Sequence, residues 1–154
     1  MVTFERTEVD LAPGWIIVGA MQGKTVPFDR FCDTPNFEPV PCRDHFEIDI
    51  VRQPDDKLIR FAVADGISSE LNSDLGARHA VKAAMIGLDE LCRNGFPDKG
   101  EFEKLFGGIH QYLALNAEKW RCSLESLGTT LLVGVFDRHS GYFACASVGD
   151  AYAK

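Results

Sequence analysis

Residues 61–69 read FAVADGISS, and within them Asp65 followed by Gly66 is the pair best placed to do chemistry. The residues before Asp65 are apolar at successive positions, so a strand ending here carries a carboxylate to the rim of a buried sheet. A carboxylate leaving water is costly unless something pairs with it. A hard divalent cation is one such partner, and it prefers oxygen ligands. Gly66 has no side chain, so its carbonyl is free to approach a cation closely. The same dipeptide also opens ordinary turns, and alone it does not decide between the two.

Other reactive residues carry weaker signals. His45 stands beside Asp44 and has the chemistry of a general acid, but a lone histidine at a strand start is more often a surface residue. His79 and His110 fall on separate helical segments, and no His-x-x-x-His pair exists for zinc. His139 lies in the turn sequence RHSG. Ser68 and Ser69 follow Asp-Gly without a Gly-x-Ser-x-Gly elbow. Residues 19–24, GAMQGK, lack the glycine spacing of a phosphate loop. Cys42 is a thiol near Asp44, and cysteine commonly serves as a small buried hydrophobe.

Four blocks in order extend the Asp65 signal. They are Pro41, Cys42 and Asp44; then Ala64, Asp65, Gly66 and Ser68 or Ser69; then Ser73, Asp74, Gly76 and Ala77; then GTTLLVGV from Gly128 with SVGDAYAK, containing Gly149 and Asp150, behind it. Together they resemble a bacterial Pro-Cys-Gln-Asp branch of the 2C-type metal-dependent protein serine/threonine phosphatases, over about residues 14–154. The resemblance implies a β-sandwich flanked by helices, an α-β-β-α arrangement, with two or three Mn²⁺ or Mg²⁺ ions at one end. It implies Asp65 as the bridging ligand, Gly66 as a carbonyl ligand, Asp44 in the same cluster, and Asp150 at a looser ion. Asp44 and Asp65 are thereby the catalytic residues, and a metal-bound hydroxide attacks phosphoserine or phosphothreonine in a protein substrate.

The sequence departs from that pattern in places. Arg43 stands where the family commonly has Gln or Glu. The phosphate-binding arginine of better-known members falls on Pro39, leaving Arg43, Lys24 and Arg30 as open substitutes. ISS replaces a glycine-rich continuation after Asp-Gly. The family's later Asp-Gly and Asp-Asn blocks do not appear after residue 150. The expectation is therefore one domain over 1–154, the N-terminal portion of a phosphatase domain, with an incomplete sandwich, weak metal binding and little activity alone. A regulatory or binding module of pseudophosphatase type is the alternative. Open sheet edges in such a piece imply self-association.

The elements that must position these residues follow from periodicity. Phe46, Ile48 and Ile50 alternate with polar residues, which predicts a half-buried strand. After the turn PDDK, LIRFAVA predicts a second strand and an antiparallel hairpin. Residues 15–19, WIIVG, read as a short buried strand, and the proline-bearing 22–42 stretch as loop. From Leu71 the period becomes helical through Cys92, with Asn72 or Ser73 as cap, until Gly95 and Pro97 end it. A second helix begins near Asp98 with Glu101 as capping-box partner. Its apolar face is Phe102, Leu105, Phe106, Ile109, Tyr112 and Leu113, and Gly107–Gly108 predict a kink or break. The two helices should pack on one sheet as an antiparallel pair. TTLLVGVFD, the turn RHSG and YFACASV form a last hairpin. Helices segregated from antiparallel strands make the class α+β.

The chain has 154 residues, 45% hydrophobic and 25% charged, with a formal net charge of -7. That balance argues against nucleic acid or an anionic membrane as partner; the phosphatase resemblance implies a phosphorylated protein instead. Five cysteines without a Cys-x-x-Cys pair, and an N-terminus without the pattern of a signal peptide, give a cytoplasmic expectation.

Overall fold

The computed structural model describes residues 2–8, 43–49, 58–93 and 95–149. The predicted strand at 15–19, the 22–42 stretch, the 54–57 turn and Asp150 lie outside them. Five strands form one antiparallel sheet in the order β1-β5-β4-β3-β2. They are β1 (Val2–Glu8), β2 (Asp44–Asp49), β3 (Leu58–Asp65), β4 (Leu131–Asp137) and β5 (Tyr142–Val148). Both predicted hairpins are present, β2 on β3 and β4 on β5. β1 pairs with β5 along its whole length, from Val2↔Val148 to Glu8↔Tyr142.

Two helices connect β3 to β4: α1 (Ser73–Cys92) and α2 (Lys99–Ala117). α1 lies directly on β3 and β2, and α2 packs mainly against α1. Small residues explain which helix touches the strands. Ala77, Ala80 and Ala84 of α1 are buried against a sheet face that includes Ala62, Ala64, Ala144 and Ala146. Larger residues of α2, Phe102, Leu105, Phe106, Ile109 and Leu113, close the same core from outside. The architecture is α+β with helices on one face of an antiparallel sheet. Among the described residues this one sheet accounts for all the strands.

The capping box at α2 has both its bonds. The Glu101 amide donates to the Asp98 carboxylate at 2.9 Å, and the Asp98 amide to the Glu101 carboxylate at 2.8 Å. At α1 the predicted side-chain cap is absent. Asn72 occupies the cap position, but its amide group donates to Ser126 Oγ at 3.0 Å and ties the helix start to the 3-10 turn at Glu125–Leu127. Nor do Gly107 and Gly108 break α2, which runs unbroken through them. Its apolar face is already fixed on α1, and that packing outweighs the weak helix propensity of two glycines.

An ion cluster locks α1 to the hairpin. Arg60, buried on the helix-facing side of β3, pairs with Asp49 of β2 and, at 2.8 Å, with Asp89 of α1. Asp89 also takes a bond from Arg93 at 2.8 Å. That bond, with the charges of Arg60 and Arg93, holds the Asp89 carboxyl below its ordinary pKa against the opposing effect of burial.

Candidate metal centre

Asp44 opens β2 and Asp65 closes β3, and the ladder pairs them directly. The Gly66 amide donates to the Arg43 carbonyl at 3.1 Å, so Arg43 and Gly66 are a hydrogen-bonded pair. Hydrogen-bonded and non-bonded pairs alternate along an antiparallel ladder, which makes Asp44 and Asp65 a non-bonded pair with side chains close together. The other neighbour of β3 agrees. The Asp65 amide donates to Thr130 Oγ1 at 3.2 Å, and the Asp65 carbonyl accepts from the Thr130 amide at 2.9 Å. The Thr129 hydroxyl lies 2.9 Å from the same carbonyl. Both polar groups of the Asp65 backbone thus face β4, and its side chain stands beside that of Asp44 on one face of the sheet.

Two carboxylates directly opposite each other repel. At the ~5 Å spacing of such pairs the repulsion is roughly 1 kcal/mol in water-like surroundings and ~3 kcal/mol at an effective dielectric constant of 20. Positive charge beside or between them reverses the sign. Both residues are exposed, so a solvated cation can reach them. An all-oxygen pair at a sheet end fits a hard cation such as Mg²⁺ or Mn²⁺.

Gly66 has a second reason to lack a side chain. A Cβ there would lie 2.7 Å from the carbonyl oxygen of Ser73, at the start of α1. The close packing of that helix start on the strand end requires glycine whether or not a cation is bound. The following loop is held from below by Arg43, whose guanidinium donates to the carbonyl oxygens of Ile67 at 3.3 Å and of Ser68. Arg43 thus brings a positive charge and a brace to the same strand end.

Of the predicted site residues, Asp44, Asp65 and Gly66 come together, and Asp150 lies outside the described residues, as do Pro39, Lys24 and Arg30. Among the described residues, no group of three or more His, Cys, Asp and Glu side chains could hold a metal ion. His45 faces the other way. It pairs with Ala64 on the helix side of the sheet, with Nε2 buried and without a hydrogen-bond partner among the described residues. Burial first, then the charge of Arg78, lowers its pKa, while Asp74 and Asp44 pull the other way. Ser68 and Ser69 are exposed. The His139 amide serves the β4–β5 turn by donating to the Asp137 carboxylate at 2.8 Å. Thr129 and Thr130 were visible in sequence as part of the GTT block, without the role that the ladder gives them.

No helix among the described residues is long and apolar enough to cross a membrane. No curated protein and no solved structure matches the chain. The sequence model for protein phosphatase 2C matches residues 38–153, well over half of the chain and spanning both aspartates, β3, both helices and the β4–β5 hairpin; the chain belongs to the protein phosphatase 2C family.

Proposed function

We propose that this chain carries part of the catalytic site of a metal-dependent phosphatase acting on phosphoserine and phosphothreonine in proteins, within the bacterial Pro-Cys-Gln-Asp branch. The observation that carries the reading is the direct pairing of Asp44 with Asp65 at one end of the sheet. In this reading both carboxylates hold Mn²⁺ or Mg²⁺, joined by the Gly66 carbonyl and by Asp150. Bound divalent cations activate water and neutralise charge on a phosphoryl group. The chain's own residues supply position. Thr129 and Thr130 fix the Asp65 backbone, and Arg43 braces the loop behind it. No nucleophilic side chain is required, consistent with the absence of a serine elbow.

A second reading, a binding module without a complete metal set, is favoured by one observation. The described residues bring only two carboxylates together. One experiment separates the two. Free Mn²⁺ is followed by electron paramagnetic resonance during titration of the chain, beside turnover of a phosphothreonine peptide. The first reading expects binding that weakens by about 100-fold or more in Asp65→Asn, with turnover lost in parallel. Mn²⁺ binding too weak to detect supports the binding module. Binding indifferent to Asp65→Asn and Asp44→Asn removes the site.

A further inference from the structure

Between α1 and α2, on the side away from the sheet, runs an open groove of ≈ 660 Å³. Its floor and walls are apolar, formed by Ala83, Ile86, Leu91, Leu105 and Ile109 with Gly87 and Gly108. The volume is in the range of small-molecule sites. The helices are close because Gly87 lets Leu105 in: a Cβ at Gly87 would lie 2.2 Å from Leu105 Cδ1. Gly108 has no such reason. Nothing lies within 4 Å of the place its Cβ would take, and α2 runs through it without a break. The same holds for Gly107, which lies outside the groove, so the space over Gly108 shows the room in the trough and not its occupant. Ile86, on the facing helix, is 66% exposed.

Charge sets the polarity of what fits. Lys82 and Lys104 line the groove, and neither makes an ion pair among the described residues. The residues three and four positions from Lys82 are Arg78, His79, Met85 and Ile86, with no acid among them. Among the described residues one acid lines the groove, Glu90, at the opposite end from Lys82. At the Lys82 end His79 Nδ1 and the Tyr112 hydroxyl are 3.0 Å apart and add hydrogen-bonding capacity. A positive polar end on an apolar trough stands out on a chain of net charge -7. From Lys82 to Leu91 the trough follows roughly 14 Å of helix, the reach of a medium-length aliphatic chain.

We propose that the α1–α2 groove is a binding site for a free amphipathic anion, an aliphatic carboxylate of medium chain length. Its head group meets Lys82 and Tyr112, and its tail lies over Gly108 toward Leu91. The site is separate from the Asp44–Asp65 end and does not depend on the phosphatase reading.

The test is calorimetric titration of the chain with dodecanoate below its micelle concentration. Saturable one-to-one binding is expected. Gly108→Leu puts a side chain into the trough, with no atom within 4 Å of its Cβ, and should weaken binding about tenfold or more. Gly107→Leu gains the same helix propensity next to the groove but outside it, and should leave binding unchanged. Lys82→Gln should weaken it by about fivefold. Thermal melts of both leucine variants at or above the parent's melting temperature exclude unfolding as the cause. Equal binding by Gly108→Leu, or equal binding of dodecyltrimethylammonium, overturns the proposal. So does retention on phosphatidylglycerol vesicles without binding of free dodecanoate, which would make this face a lipid-surface contact.

Discussion

Thr130 takes both backbone polar groups of Asp65, through its hydroxyl and its amide, and so decides which way the carboxylate faces. Replacing it with valine keeps the shape and removes the acceptor 3.2 Å from the Asp65 amide. Outer-shell partners of metal ligands commonly carry a factor of 10–100 in affinity. Thr130→Val is therefore expected to weaken Mn²⁺ binding by roughly tenfold, and Thr130→Ser to restore most of it, in the same resonance titration. Loss in both variants would point to the methyl group and against the hydroxyl. Asp65 was legible in sequence because an apolar strand ends at it. Its nearness to Asp44 depends on register, which only the resemblance suggested. The exclusion of His45 was within reach of the sequence. One residue from Asp44 in a strand is the opposite face.

At the scale of elements, hairpins and helices follow from alternation and helical period, and β1 shows where that reading ran out. VTFERTE alternates, but its charges and threonines look like a solvated terminus. It is an edge strand of the described sheet. The α1 cap failed for a related reason: Asn72 had a tertiary partner, Ser126, that no local pattern reveals. The α1–α2 contact gives a pH prediction. The half-buried His79 ring lies 4.2 Å from the Trp120 ring. Burial first, then the charges of Lys82 and Arg78, lowers its pKa below 6.5. As pH falls through about 6.5, the unfolded chain takes up a proton at His79 before the folded chain does. Its contribution to stability is therefore present above that pH and lost below it. Urea midpoints should fall from pH 7.5 to pH 5.5, and the fall should be smaller in His79→Gln. A remaining slope is expected from His45, whose pKa is lowered too. An unchanged fall in the variant would remove His79 from the account.

At the scale of the whole molecule the two faces of the sheet differ. One is covered by α1 with α2 behind it. The other carries Phe46, Ile48, Ile59, Phe61 and Val63 on β2 and β3, beside the Asp44–Asp65 end, by the alternation of the register. An antiparallel sheet with one face in water normally puts polar residues there. Here Phe46 and Val63, direct partners across the ladder, are 48% and 41% exposed. β2 is also an edge of the described sheet. Contiguous exposed apolar surface marks an association site, and an edge beside it offers backbone pairing as well. This is the physical content of the sandwich expectation: such a face calls for a second layer. Sedimentation velocity over a wide concentration range is expected to show the chain self-associating. Phe46→Lys with Val63→Lys should shift it toward monomer, since each lysine places a charge where the contact would have to desolvate it. A circular dichroism spectrum unchanged by the two substitutions would show that the fold survives them. A parent chain that stays monomeric at every concentration would show that this face does not drive association.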